Sequence, residues 1–143
     1  MTNANLGRFL AVDYGEKRIG LAISDPMGMI ASAKGYIHRR AGKRPPIAAI
    51  IAKGEELGAR GFLLGLPQDE EGKDTEWTTT VRSVGAELAK RTGLPVRFLD
   101  ESFTTVNALD TIRHLGGSTR GRKGDVDAMA AAILLQRALD EPD

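Results

Sequence analysis

The stretch FLAVDYGEKRIGLAIS, residues 9–24, decides how the rest of the chain is read. Two apolar, β-prone runs, residues 8–14 and 19–24, flank the polar GEKR of residues 15–18, which is the pattern of a hairpin between buried strands. Asp13 interrupts the first run. A charge inside a core strand is costly and is neutralised by a shifted pKa, a partner or a metal, so Asp13 is the first candidate functional residue. An Asp shortly before a Gly is also an ordinary turn residue, and Asp13 alone leaves both readings standing.

Working outward, residues 33–37 supply a third antiparallel strand and complete a β-meander. Past RRAGKRPP, the positions Ile47, Ile50, Ile51 and Leu57 recur at helical spacing, with Pro45 and Pro46 before them and Gly58 after. GFLLGLP, residues 61–67, is a short unbroken apolar run of the kind found in a parallel strand covered on both faces. Trp77, Val81, Val84 and Leu88 mark an amphipathic helix ending near Gly93, and PVRFLDE, residues 95–101, is the next strand. Thr104 caps a further helix carrying Val106, Leu109 and Ile112 on one face, and residues 116–124, with four glycines, form an irregular loop. The last helix begins near Asp125, its expected N-cap, and turns Val126, Met129, Ala130, Ile133 and Leu134 inward. A meander followed by right-handed β-α-β crossovers builds an α/β mixed five-stranded sheet with helices on both faces. The ribonuclease H-like architecture has this order, as do the halves of actin-like ATPases.

Composition restricts the chemistry. With 143 residues, one domain spanning 1–143 is expected. The absence of cysteine removes disulfides, thiolate metal sites and Cys nucleophiles, and two histidines, His38 and His114, are too few for a His-based zinc site. Both are assigned surface or structural roles, and Trp77 a place in a core stripe. Metal chemistry must therefore rest on Asp and Glu, which suit Mg²⁺ or Mn²⁺. No apolar stretch approaches the ~20 residues of a membrane span and the N-terminus lacks a signal-peptide pattern, so a cytoplasmic protein with no membrane partner is expected.

The formal charge is only +1, but it is unevenly spread. No acid lies between Asp25 and Glu55, where Lys34, Arg39, Arg40, Lys43 and Arg44 occur, and Arg113, Arg120, Arg122 and Lys123 are the charged residues between Asp110 and Asp125. Such segments can face phosphate, with Arg120, Arg122 and Lys123 holding backbone without base specificity; the competing reading is a solvated face and a loop.

Three carboxylates come from elements that this topology gathers: Asp13 in the first strand, Glu101 at the end of a later one, and Asp127 in the first turn of the last helix. Each has a plain alternative as a turn residue, a strand-end acid or a complement to the helix dipole. Together they form an oxygen-ligand site for Mg²⁺ or Mn²⁺ of the kind that hydrolyses phosphodiesters. The small side chains of AMAAA after Asp127 allow a close approach of the helix to the sheet.

AVDYGEKRIGLAISD, GLPQDEEG, DESFTTVNA and KGDVDAMAAAILLQ, in this order over nearly the whole chain, resemble the YqgF (RuvX-like) family of bacterial proteins, described as Holliday junction resolvases and as nucleases maturing the 5′ end of pre-16S rRNA. The resemblance implies a ribonuclease H-like fold and an acidic triad of Asp13, Glu101 and Asp127 that is both catalytic and metal-binding. It also implies nucleic-acid contacts from Lys17 and Arg18, in the D-x-G-x-K/R-R-x-G motif, and from Thr105. Two positions depart from the family pattern: Ser102 stands where an Arg is usual, and Asp69, Glu70 and Glu71 stand in a loop that is usually less acidic, which would repel phosphate.

The expectation is a divalent-metal-dependent endonuclease on structured nucleic acid, a monomer or weak homodimer, with pre-16S rRNA preferred to a four-way DNA junction because no dimer seam is visible. Nucleotide phosphotransfer, suggested by Asp-x-Gly before a hairpin, is disfavoured because actin-like enzymes need two such halves. A non-catalytic RNA-binding factor is the third reading.

Overall fold

A computed structural model of the chain describes residues 7–39, 44–67, 71–100 and 123–141. The elements are β1 (Phe9–Tyr14), β2 (Arg18–Ser24), β3 (Ala31–His38), α1 (Ile47–Leu57), β4 (Gly61–Leu66), α2 (Glu76–Thr92), β5 (Val96–Asp100) and α3 (Lys123–Asp140). One sheet runs in the order β3-β2-β1-β4-β5. The meander β1-β2-β3 is antiparallel, whereas β4 pairs parallel to β1, and β5 parallel to β4. The expected architecture is present, and β1 lies at its centre.

Period-two alternation sends the two faces of the sheet into different layers. Leu10, Val12 and Tyr14 of β1 join Ile19, Leu21, Ile23, Phe62 and Leu64 in a core covered by Ile47 and Ile50 of α1 and by Val81, Val84 and Leu88 of α2. Phe9 and Ala11, with Ala22 and Leu63, pack instead against Ala131, Leu134, Leu135 and Ala138 of α3. Asp13 continues the Phe9, Ala11 series and so belongs to the α3 face.

Helix limits follow local chemistry. α1 ends at Gly58, whose N–H returns to the helix, and α2 ends at Gly93. At the start of α2 the Thr75 hydroxyl accepts from Thr78 N–H while the Thr78 hydroxyl accepts from Thr75 N–H, a reciprocal cap. Thr78, fully buried, also donates to the Pro67 carbonyl at 2.7 Å and so fastens α2 to the chain leaving β4.

Two features of the last helix differ from expectation. It begins at Lys123, so Asp125 lies within the first turn and is not its N-cap. The positions expected to turn inward also divide: Val126, Ala130 and Leu134 are buried, but Val126 and Ala130, with Met129 and Ile133, form a separate cluster, and the sheet is met by the Ala131, Leu134, Leu135, Ala138 stripe. Alanine-rich helices carry a broad apolar face, and only the partner surface decides which part meets the sheet. No helix among the described residues is long and apolar enough to cross a membrane.

Candidate active site

Asp13 is half-buried near the end of the central strand, opposite Gly20 of β2 in the antiparallel register. A side chain at Gly20 would run into the Asp127 carbonyl, so the missing Cβ is what lets the first turns of α3 descend onto β2. The small residues Ala128 and Ala131, both buried, keep that approach close. One cross-strand step therefore separates Asp13 from the backbone of Asp127.

The Asp127 side chain is oriented from the same strand. Arg18 Nε donates to Asp127 Oδ2 at 2.6 Å, a charge-assisted bond between residues 109 apart in sequence. Both side chains are about a quarter exposed, which keeps the pair in contact with solvent. The guanidinium of Arg18, a residue expected to contact nucleic acid, thus also holds one of the expected metal ligands. Lys17 is exposed at the hairpin tip.

The hairpin is clamped from the opposite face. Trp77 Nε1 donates to the Tyr14 carbonyl at 3.3 Å, and Arg39 Nη1 donates to the next carbonyl, that of Gly15, at 3.2 Å. The Arg39 backbone N–H donates to Lys17 O at 2.9 Å, and its guanidinium lies 4.8 Å from the centre of the Tyr14 ring and 5.6 Å from that of Trp77. The two rings are 5.5 Å apart. Trp77 thus holds the carboxylate-bearing turn as well as filling a core stripe. Sequence reasoning missed this use of Trp77 and Arg39, because no local spacing links them to Tyr14. Burial pushes the Tyr14 phenol above its ordinary value, with the Arg39 charge pulling it down.

His38 is exposed at the end of β3, in keeping with a surface role. Lys123 is the first residue of α3. Glu101, Ser102, Thr105, Arg120 and Arg122 lie outside the described residues, as do Asp69, Glu70, His114, the helix expected after Thr104 and the glycine-rich loop up to 122.

The donors that are described suit a hard divalent cation: two carboxylates from different elements, on one face of the sheet. Among the described residues no group of three His, Cys, Asp or Glu is close enough to hold a metal alone. A two-carboxylate site leaves positions for water and phosphate oxygen, which fits Mg²⁺ better than a closed cage would.

A carboxylate-bearing central strand, a β-meander with β-α-β crossovers and a covering last helix define the ribonuclease H-like class. Solved structures of RuvC from Thermus thermophilus share that fold: the protein alone superimposes with a TM-score of 0.54 at 14% identity, covering 89% of this chain and 92% of the other. RuvC in complex with a Holliday junction substrate gives 0.51 at 15% identity, covering 90% and 91%. Within that class the chain belongs to the RuvX family, described as a Holliday junction resolvase, whose model matches residues 7–141. Relatives named "Putative pre-16S rRNA nuclease" include those of Clavibacter michiganensis, 38% identical over 94% of this chain and 84% of the relative, and Koribacter versatilis, 38% identical over 94% and 87%. The family resemblance read from the four motifs is borne out.

Proposed function

We propose that this chain, as a single nuclease domain over residues 1–143, is a divalent-metal-dependent endonuclease that cuts phosphodiester bonds in structured nucleic acid, with the 5′ end of pre-16S rRNA as its substrate in the cytoplasm. The observation that carries the reading is the meeting of Asp13 and Asp127 across Gly20, with Arg18 bonded to Asp127. Family membership and the names of the relatives support the reaction class and the RNA substrate.

Asp13, Asp127 and Glu101, the residue that follows the end of β5, are the carboxylates that would hold Mg²⁺ or Mn²⁺. When bound, such ions supply activation of water and stabilisation of the leaving oxygen. The protein's part is rigid placement. Asp13 is set by the central strand and by the clamp on Tyr14 and Gly15, and Arg18 keeps one oxygen of Asp127 engaged so that the carboxylate does not rotate freely. Lys17, Arg18, Arg120, Arg122, Lys123 and Thr105 are assigned to the nucleic-acid backbone, which is bound by charge.

The second reading, resolution of a four-way DNA junction, is favoured by the description of the family and by the RuvC-like fold. It asks for two sites related by two-fold symmetry, whereas a monomer or weak homodimer suffices for RNA. Cleavage of a labelled 5′-extended rRNA precursor and of a four-way junction, with Mg²⁺, Mn²⁺ or EDTA, separates the two. Asp13→Asn is expected to abolish cutting while leaving the fold intact and binding largely preserved. An Asn variant as active as wild type would sink the metal-site assignment; binding without cleavage by the wild type would leave a non-catalytic RNA-binding factor.

A further inference from the structure

We propose that Tyr36 is a base-stacking platform for unpaired nucleotides flanking the scissile phosphate, an inference that rests on the nucleic-acid reading above and specifies the form of the substrate. Asp13 is opposite Gly20, and Gly20 is opposite Tyr36, so the three residues form one row across β1, β2 and β3. Paired residues share a face of a sheet, so Tyr36 lies on the α3 face with Asp13. At about 4.8 Å per strand the two are about 10 Å apart in the plane of the sheet, on either side of the first turns of α3.

This placement is produced by a local irregularity. Ala22 is opposite Ala33 while Gly20 is opposite Tyr36, so two residues of β2 are matched by three of β3. The extra residue falls at Lys34–Gly35, and Gly35 has φ +79°, a conformation that side-chain-bearing residues rarely adopt. Among the described residues nothing lies within 4 Å of where its Cβ would be, so the positive φ accounts for the glycine there. Without the bulge, strict alternation from Ala31 and Ala33 would carry Gly35 and Ile37 onto the α3 face and turn Tyr36 away. With it, Ile37 joins the α1 and α2 core beside its partner Ile19, and Tyr36 and His38 come out beside Gly20 and Arg18.

Tyr36 is 49% exposed, whereas Tyr14 is buried. An aromatic ring held on a strand, half open to solvent and next to a carboxylate site is the geometry in which proteins stack the bases of single strands. A strand reaching it from Asp13 crosses the first turn of α3, which begins at Lys123, and at the about 3.4 Å spacing of stacked nucleotides this takes three or more. The platform favours a substrate with a single-stranded flank over a blunt duplex, without preference for a particular base.

The test is binding in EDTA, which removes catalysis from the readout. The affinities of wild type, Tyr36→Ala and Tyr36→Phe are measured for a labelled rRNA-leader duplex carrying a single-stranded flank and for the same duplex without it, with circular dichroism melting as the control for folding. Tyr36→Ala is expected to lose about tenfold in affinity for the flanked RNA and less than twofold for the blunt duplex, with Tyr36→Phe within about twofold of wild type on both. Equal affinity of the Ala variant and wild type for flanked RNA overturns the proposal, as does a Phe variant as weak as the Ala variant. If the wild type cuts RNA with Mg²⁺ and Tyr36→Ala binds normally, only the platform falls. If nothing is cut but Tyr36→Ala weakens binding, the nuclease reading falls and the platform stands. A wild type that binds neither RNA overturns both.

Discussion

Gly20 is where the two described carboxylate-bearing elements meet, and the missing side chain is what its neighbours require. A Cβ there would collide with the Asp127 backbone, which cannot move away as the tip of a flexible side chain could. Gly20→Ala is therefore expected to destabilise the protein by about 1–3 kcal/mol and to cost more activity than that loss of folded protein explains, because the helix bearing Asp127 is lifted. Thermal melting and cleavage rates measured on the same preparation check this; a variant with wild-type melting and rate would show that α3 does not need the close approach. Arg18→Ala separates orientation from folding. The pair it breaks is partly exposed, so stability should fall by no more than about 1 kcal/mol, while cleavage drops by an order of magnitude or more if holding Asp127 matters.

At the scale of elements, the β1–β2 hairpin and the start of α2 are coupled through Tyr14, Trp77 and Arg39. Tyr14 Oη is buried and has no hydrogen-bond partner among the described residues, so the hydroxyl costs desolvation that they do not return. Tyr14→Phe should be neutral or up to about 1 kcal/mol more stable near neutral pH. Because burial raises this phenol in the folded state, the group does not change stability with pH below the unfolded value of about 10, and stability falls as pH rises from there through the folded value. The Phe variant should accordingly lose less stability than wild type above about pH 10, as read from denaturant midpoints. Thr78→Val tests the other end of the coupling. It leaves the Pro67 carbonyl and Thr75 N–H without their partner and should cost about 1–3 kcal/mol; an unchanged melting temperature would mean that the reciprocal cap adds nothing.

For the molecule as a whole, near-neutral net charge conceals an uneven surface, and nucleic-acid binding should follow the local cations. Affinity for RNA is expected to fall log-linearly with salt, and Lys17→Ala, at the exposed hairpin tip, should weaken binding uniformly across sequences and reduce the salt slope by about 1. An unchanged slope would remove Lys17 from the phosphate contacts. Much at this scale was legible beforehand. The apolar, β-prone runs FLAVDY, RIGLAIS and GFLLGL and the helix-ending glycines report local geometry, because strands of a sheet covered on both faces are buried along nearly their whole length. Hence the order of elements along the chain and the central position of β1 could be anticipated.

By itself, then, the sequence determined the elements, their layers and the candidacy of Asp13 and Asp127, since these depend on periodicity and on residue chemistry carried along the chain. Tertiary structure decided the pairings: that Arg18 holds Asp127, that Trp77 and Arg39 grip the two carbonyls after Asp13, that α3 meets the sheet through Ala131 and Leu135, and that a bulge at Gly35 turns Tyr36 to the face of the carboxylates. Register and helix rotation are set by how two surfaces fit, and a one-residue shift in either changes which side chains meet without altering any local pattern.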